Sequence, residues 1–382
     1  MKNYSILGGG IAGLTAAIAL KKIGITATVF ESAADIRPVG AGLLLAANAV
    51  KAYEHLGIAA QIVRRGRALP EFRVLNRQGR TLAGADAQAL SQRYGLHNFA
   101  IHRAELHDAL LAELDPAQVR TGHTATTLTE QPDGSLSLHF ADGSVHETDY
   151  LIVADGIHSA IRGQMAPEAR TRYSGYTCWR VVIDDPGLAL TAATETWGAR
   201  GRFGIVPLAG GKIYCFASIN APQNDPGMAK MRVADLQKIF AGYHAPIPAI
   251  LAQWRDEQLI WNDLSDLKPL DRFAYGRTVL IGDAAHATTP NLGQGACQAI
   301  EDAVFLAEML KKHPDPEQAF RFFEQKRLPR TRFIVETSRR MGAIAQWQNP
   351  VLAGLRNILF RLIPRSVNER QLHQLLSVDF GA

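Results

Sequence analysis

The sequence predicts an α/β (α+β) fold with a domain built on a parallel sheet, an inserted domain with a mixed β-sheet, and a helical segment at the end. Three observations in the 382 residues predict it. A glycine-rich turn follows the first strand, a second strand-to-turn motif lies far downstream, and alternating strand patterns fill the region between them. At about 150 residues per domain, the length allows two or three domains.

The first strand is Tyr4–Leu7, and a second strand over Thr26–Phe30 ends at Glu31, with a helix between them that ends near Ile23. Three glycines in the spacing G-x-G-x-x-G open this helix: Gly8, Gly10 and Gly13. In a Rossmann-like domain such glycines permit the turn, let backbone N–H groups approach a pyrophosphate, and let the helix pack on the strand. Glu31 suits ribose hydroxyls and disfavours a 2′-phosphate, so the motif predicts NAD or FAD and leaves that choice open.

Two later strands end in acidic turns. Tyr150–Ala154 runs into Asp155, and Thr278–Ile281 runs into Asp283, after which a helix begins at the GQG run 293–295. Asp283 can accept hydrogen bonds from ribitol hydroxyls. The N–H groups of the helix start suit the flavin edge where negative charge gathers on reduction. An NAD dehydrogenase needs neither feature, so the second motif favours FAD.

Together these motifs resemble the FAD-dependent aromatic hydroxylases, the class A flavoprotein monooxygenases of the para-hydroxybenzoate and salicylate hydroxylase family. The stretches YSGYTCW (173–179) and GDAAHATTPNLGQGACQAIEDA are similar to the branch that holds zeaxanthin epoxidase and FAD-dependent urate hydroxylase. The resemblance runs from about Tyr4 to Arg340. It implies a FAD-binding Rossmann-like domain with an inserted mixed β-sheet substrate domain and a C-terminal helical segment.

The resemblance also implies domain boundaries and a set of cofactor residues. The FAD-binding domain with a β-hairpin insertion would span 1–171 and return, with long helices, over 271–345. The substrate-binding sheet would span 172–270, and a helical cap 346–382. The residues that would hold FAD are Gly8, Gly10, Ala12, Gly13, Glu31, Arg37, Gly42, Arg103, Asp155, Asp283, Pro290, Gly293, Gly295 and Ala296.

In the urate-hydroxylase-like pattern, an arginine and a tyrosine occupy the positions of Arg202 and Tyr214, which makes them the candidate catalytic residues. Arg202 could pair with an anionic substrate, and Tyr214 could orient a substrate carbonyl or hydroxyl. A structural arginine and a half-buried packing tyrosine remain open as alternatives. His286 and Arg162 are expected to be structural, and His158 to lie on the surface.

The implied activity is an FAD-dependent monooxygenase that inserts one oxygen atom from O2 into a small electron-rich aromatic or heteroaromatic substrate through a flavin C4a-hydroperoxide. NADPH or NADH would be a transient co-substrate, since only one dinucleotide fingerprint is present. Two alternatives remain open: a non-oxygenating flavin reductase of the same fold, and a flavin-binding redox sensor. A monomer or a homodimer is expected.

The positive net charge is confined to the end of the chain. The net charge is +5, and residues 321–370 carry +8, which leaves −3 for the rest. No basic run with interleaved aromatics occurs, so nucleic acid is not an expected partner. Residues 350–364 are apolar except for Arg356 and Arg361. They could form a membrane-surface helix, but a cap on the substrate domain with its arginines turned outward is favoured.

Composition restricts the class of protein further. With 47% hydrophobic and 20% charged residues, the chain is neither disordered, collagen-like nor a coiled coil. Cys178, Cys215 and Cys297 are far apart, and no Cys/His cluster is present. The sequence therefore predicts no metal site and no disulfide framework, and a reducing, cytoplasmic location fits.

Overall fold

A computed structural model describes residues 2–35, 41–86 and 98–381, and two large sheets dominate its fold. The first is a six-stranded sheet that is parallel except at one edge, where the outermost hairpin is antiparallel. Its strands, in spatial order, are Ala274–Tyr275, Thr278–Leu280, Tyr150–Val153, Tyr4–Leu7, Ala27–Phe30 and Val119–Arg120. All four residues of Tyr4–Leu7 are buried, as expected for a parallel sheet covered on both faces.

The register of this sheet brings four strand ends to one edge. Leu7 lies opposite both Phe30 and Val153, and Val153 lies opposite Leu280. The helix Ile11–Lys22 covers the sheet and packs on the helix Gly295–Lys312. The segments that follow the four inner strands therefore meet where the glycine turn begins.

The second sheet has seven strands and two different faces. Its strands, in spatial order, are Ile260–Leu267, Thr171–Asp184, Lys212–Asn220, Gly201–Pro207, Ala193–Gly198, Glu71–Asn76 and Thr81–Asp86. The back face, with Phe203, Ile205 and Ile213, packs on the helices Val233–Phe240 and Ile247–Leu251. The opposite face, here called the front face, carries Tyr176, Arg180, Arg202, Gly204, Tyr214 and Phe216.

Smaller elements complete the chain. One three-stranded sheet is formed by Val145–Thr148, Leu136–Phe140 and Ala125–Glu130, and another by Gly42–Leu45, Phe99–His102 and Arg67–Ala68. The remaining α-helices are Ala47–His55, Ala59–Arg64, Arg103–Leu111, Ala160–Met165, Pro226–Ala229, Asp283–His286, Pro316–Ala345, Pro350–Leu362 and Arg365–Leu376. Short 3-10 turns lie at Pro116–Gln118, Asp256–Gln258 and Pro290–Leu292.

The α/β prediction is confirmed, and several elements lie where the sequence predicts them. The strand Tyr4–Leu7 coincides with the expectation, and the helix Pro316–Ala345 lies within 271–345, where long helices are expected. Asp315 caps that helix by accepting the N–H of Glu317, and the helix continues through Pro329. The domain boundaries drawn from the resemblance stay a prediction.

The orientation predicted for the helix Pro350–Leu362 is wrong for one of its two arginines. Arg361 is exposed, but Arg356 is only 1% exposed and donates a 2.7 Å hydrogen bond to the carbonyl oxygen of Ala345. Its guanidinium lies 5.2 Å from the ring centre of Trp197. These partners turn Arg356 toward the protein and the apolar side outward. Among the described residues, no helix combines the length and apolarity needed to cross a bilayer.

Candidate active site

The glycine turn at the start of the chain is packed so tightly that side chains cannot enter it. A Cβ atom on Gly8, whose φ is +97°, would lie 2.3 Å from the carbonyl oxygen of Ala154. One on Gly13 would lie 1.9 Å from the carbonyl oxygen of Gly8. Gly10 differs, since it precedes the helix Ile11–Lys22 and no atom of the described residues lies within 4 Å of where its Cβ would stand. This open side and the unpaired N–H groups of the first helical turn form a cradle for phosphate.

Two side chains hold the turn from outside. Glu31 accepts the N–H of Gly9 at 2.7 Å through Oε2 and the N–H of Ala33 at 2.8 Å through Oε1. His107 Nε2 lies 2.6 Å from the carbonyl oxygen of Gly9. Sequence reasoning missed His107, whose only signal was its place one turn after Arg103 on the same helix.

Asp283 and Asp155 follow neighbouring strands and lie at the same sheet edge as the glycine turn. Asp283 is exposed, yet desolvation by the surrounding protein raises its pKa, against the opposing charges of His286 and Arg103. An exposed carboxylate with that environment lies in a concave cleft. Desolvation also raises the pKa of Asp155, whose Oδ1 is buried and has no hydrogen-bond partner among the described residues.

A helix start faces this edge. Gly293, with a φ of +63°, follows the 3-10 turn that begins at Pro290, and the helix Gly295–Lys312 begins two residues later. No side chain caps this helix, so the N–H groups of Gly295 and Ala296 lack partners within it. Uncapped N–H groups and the positive end of the helix dipole favour a ligand edge that gains negative charge.

A buried ionic cluster ties this helix to the acidic turn. Its ionisable members are Glu301, Asp302, Arg327, Arg330 and His286. Arg327 donates to Glu301 at 2.5 Å and to Asp302 at 2.6 Å. Desolvation alone would raise the pKa of Asp302, but His286 and Arg327 hold it below its usual value. Asp302 also accepts the N–H of Gly282 at 2.8 Å, so the cluster positions the turn that carries Asp283.

Arg202 joins the front face of the seven-stranded sheet to the turn before the helix start. It is 3% exposed and donates to Glu195 at 3.0 Å and to Asn291 at 2.8 Å. Its guanidinium also lies over the ring of Tyr176, 5.1 Å from the centre. Glu195 therefore compensates the positive charge of Arg202, which the sequence hypothesis paired with an anionic substrate.

Tyr214 forms a second contact of the front face, with Gly42 at the start of the strand Gly42–Leu45. A Cβ on Gly42 would lie 2.6 Å from the Cβ of Tyr214, so glycine is needed for this approach. Arg180, on the neighbouring strand, donates a 3.2 Å hydrogen bond to Asn262. Desolvation is the largest cause of the raised pKa of Tyr214, and the charge of Arg180 acts against it. Arg180 has no carboxylate within ion-pair distance in the part of the chain that the structure describes.

A row of four residues crosses the front face between these two contacts. Arg180 pairs in register with Phe216, Phe216 with Gly204, and Gly204 with Glu195. A Cβ on Gly204 would lie 1.9 Å from the Phe216 ring, so the ring lies directly over the glycine backbone. Phe216 is half-buried, which leaves part of an aromatic surface open between the two contacts.

The residues present fit FAD. The cradle at Gly10 suits its pyrophosphate, and the unpartnered Oδ1 of Asp155 and the exposed Asp283 offer acceptors for hydroxyl groups. Gly42 lies against Tyr214, and Ala12 packs against Gly282, which places both beside the cleft. Among the described residues, no group of three or more His, Cys, Asp or Glu could hold a metal ion.

The structure brings most of the sequence-derived candidates to one cleft, with one exception. Arg37 lies outside the described residues, so its assignment stays a prediction. Arg162 is buried and donates to backbone carbonyls, His286 bonds Asp302, and His158 is exposed, as expected for structural and surface residues. The catalytic roles of Arg202 and Tyr214 also stay predictions.

A dinucleotide turn, a second acidic strand end and an uncapped helix start around one cleft define a flavin-binding oxidoreductase. The chain belongs to a family described as FAD binding domain, whose model matches residues 3–338.

Relatives of named activity align with nearly the whole chain, and their names agree with this class. The chain is 37% identical to 2-heptyl-3-hydroxy-4(1H)-quinolone synthase of Pseudomonas aeruginosa (strain UCBPP-PA14), over 98% of each chain. It is 36% identical to aurachin C monooxygenase/isomerase of Stigmatella aurantiaca, over 94% of this chain and 93% of that one. The crystal structure of Klebsiella pneumoniae HpxO complexed with FAD and uric acid aligns with a TM-score of 0.91 at 30% identity, over 99% and 98% of the chains. The chain is an FAD-dependent monooxygenase.

Replacing Asp283 with alanine is expected to weaken FAD binding about tenfold, the value of one good hydrogen bond. Because its folded-state pKa is raised, ionised Asp283 costs stability at neutral pH, so the FAD-free variant should be at least as stable as the parent. Flavin absorbance after gel filtration and thermal melting measure both effects. Asp184→Ala, at a side chain that is 87% exposed, is the control. An Asp283→Ala protein that keeps its full FAD content would contradict the assignment.

Proposed function

We propose that the protein transfers one oxygen atom from O2 to a planar heteroaromatic substrate whose ring carries a carbonyl or hydroxyl oxygen, of the 4-quinolone class. NADH or NADPH would serve as the transient reductant. The observation that carries this proposal is the half-buried Phe216 ring on Gly204, held between the Arg202–Asn291 and Tyr214–Gly42 contacts.

The front face offers hydrogen-bond donors that suit a ring carbonyl or hydroxyl oxygen. Arg202 is already paired with Glu195, whereas Arg180, which donates to the neutral Asn262, and the Tyr214 hydroxyl offer donors to a ring oxygen. The Phe216 ring can stack on a planar substrate. One of the relatives is named 2-heptyl-3-hydroxy-4(1H)-quinolone synthase, which supports the same class.

Bound FAD supplies the redox chemistry once a nicotinamide has reduced it. The protein residues hold and orient: the Gly10 cradle holds phosphate, the helix start at Gly295 stabilises negative charge, and Phe216 positions the substrate ring. The contacts of Arg202 with Asn291 and of Tyr214 with Gly42 hold the front face against the segments that would bind FAD, which would keep water out of the region between them.

We also propose that the protein lies in the cytoplasm. We propose further that it is a monomer or a homodimer. The three cysteines are buried and free, which supports a reducing compartment.

A substrate panel tests the proposal. We expect 2-heptyl-4(1H)-quinolone to raise the rate of NADPH or NADH oxidation at least tenfold and to yield a product 16 mass units heavier. Urate and 3-amino-4-hydroxybenzoate serve as comparison compounds. Stimulation by the benzoate without any by the quinolone would reject the proposed substrate class but leave the monooxygenase class intact.

Replacing Gly204 with alanine is expected to lower kcat/KM about 100-fold, since the new methyl group would displace the Phe216 ring into the substrate region. FAD content should stay unchanged, because Gly204 lies away from the cofactor cradle. Gly163→Ala is the matched control, since Gly163 is exposed and its Cβ would meet no described atom within 4 Å. Equal kcat/KM values for both variants would show that Phe216 does not position the substrate.

A further inference from the structure

The helix Pro350–Leu362 presents its apolar side to solvent. Six large apolar residues on it are between 44% and 78% exposed: Val351, Leu352, Leu355, Ile358, Leu359 and Leu362. At about 100° per residue, they lie on one continuous side that covers roughly a third of the helix circumference. This set is called the apolar face. Contiguous exposed apolar surface of this kind marks an interaction site.

The opposite side of the helix fixes its rotation. Ala353 and Arg356 are buried there, and the Phe360 ring lies 5.1 Å from the ring of Trp197 in an edge-to-face arrangement. Desolvation, together with the nearby charge of Arg202, lowers the pKa of Arg356 to about 10. Turning the helix to bury its leucines would break the hydrogen bond from Arg356 to Ala345. The apolar face is therefore held outward by specific contacts.

The charge around this face is positive. Pro350–Leu362 contains no acidic residue, and Arg361 lies exposed at the border of the apolar face. Arg370 is exposed on the next helix. An apolar helix side bordered by arginine matches the interface of an anionic bilayer, where apolar side chains enter the acyl boundary and cations meet phosphate groups.

A second copy of the chain fits this face less well. Stable protein interfaces engage about 20–30 residues on each side, whereas the apolar face has six. Two copies meeting through this helix would also bring their exposed, positively charged Arg361 side chains to the same interface.

We propose that the helix Pro350–Leu362 docks flat on an anionic lipid bilayer through its apolar face. The docked helix lies next to the front face, because Trp197, which it contacts, donates to Glu195, the partner of Arg202. The seven-stranded sheet then lies beside the bilayer surface, where a substrate with an alkyl chain would concentrate. Only this last point rests on the proposed function, and lipid binding is measured without any substrate.

Vesicle sedimentation of the FAD-loaded chain tests the proposal. The protein should sediment with phosphatidylcholine vesicles containing about 30% phosphatidylglycerol at low salt, and at least tenfold less with pure phosphatidylcholine or at about 0.5 M salt. The triple variant Leu355→Gln, Ile358→Gln, Leu359→Gln should bind at least tenfold more weakly, with unchanged FAD content and melting temperature.

The control is the double variant Val145→Gln, Ile260→Gln, which removes exposed apolar side chains elsewhere and should bind like the parent. A parent protein that stays in the supernatant at low salt overturns the proposal. So does a triple variant that sediments like the parent. A dimer that the triple substitution dissociates, without any vesicle binding by the parent, would assign the apolar face to a second copy instead.

Discussion

Replacing Arg327 with methionine is expected to lower the free energy of unfolding by about 3–5 kcal/mol, the usual cost of removing one partner from a buried ion pair. Arg327 is fully buried and donates to both Glu301 and Asp302. Methionine would leave two carboxylates in the interior with less compensation. Chemical denaturation at neutral pH measures the loss.

The pH dependence of this loss separates an electrostatic cause from a packing one. The folded-state pKa values of Glu301 and Asp302 are lowered, because Arg327 and neighbouring donors outweigh desolvation. Their stabilising contribution is therefore present above an unfolded pKa of about 4 and is lost as pH falls below it. The gap between parent and variant should therefore stay nearly constant from pH 7 to about 5 and shrink as the pH is lowered below about 4.

Arg340→Met is the matched control on the same helix. Arg340 is 76% exposed and pairs with Glu336 four residues before it, so its removal should cost less than about 0.5 kcal/mol. A loss below about 1 kcal/mol for Arg327→Met, or a gap that is constant with pH, would contradict the role given to the cluster.

Two glycine substitutions in the first turn are expected to remove FAD for different reasons. Gly13→Ala places a Cβ 1.9 Å from the backbone oxygen of Gly8, so the turn itself must move. We expect at least a tenfold loss of bound FAD and a lower melting temperature of the FAD-free protein. Gly10→Ala meets no described atom, and its φ of −78° suits any residue. It should keep the melting temperature of the FAD-free protein and lose FAD affinity, since its methyl group enters the phosphate cradle.

Flavin absorbance after gel filtration and melting of the FAD-free proteins distinguish the two variants. Gly163→Ala, on an exposed helix position, should match or slightly exceed the parent in both measurements. If Gly10→Ala binds FAD as tightly as the parent, phosphate does not approach that side of the turn.

Local patterns were sufficient to predict the elements and the cofactor turn. The alternating patterns between the two motifs predict strands, one of which is Lys212–Asn220. The spacing of Gly8, Gly10 and Gly13 predicts a turn whose geometry is set mainly by residues close together in sequence. Both properties depend on residues close together in sequence, which is why they can be read without a structure.

The front-face row could not be predicted, because it depends on strand register. Arg180, Phe216, Gly204 and Glu195 come from four strands, and only their pairing shows that a glycine lies under an aromatic ring. The ion partners of Arg327 lie 25 and 26 residues away on another helix. Single-sequence patterns contain no information about such pairs.

The orientation of Arg356 shows a different limit. Periodicity shows that the helix Pro350–Leu362 has an apolar side, but the same pattern describes a helix that buries this side and one that exposes it. Two contacts decide which side is buried: the Phe360 ring packs on Trp197, which is distant in sequence, and Arg356 donates to the carbonyl oxygen of Ala345.

Oxygen-isotope labelling tests the monooxygenase account and its proposed substrate class most directly. FAD-loaded protein, NADPH or NADH, and 2-heptyl-4(1H)-quinolone are incubated under ¹⁸O2, and the product is analysed by mass spectrometry. The account predicts a product that contains one labelled oxygen atom, formed in proportion to the nicotinamide oxidised. Nicotinamide oxidation that yields only hydrogen peroxide, with no labelled product from the quinolone or from any other compound in the panel, would contradict it.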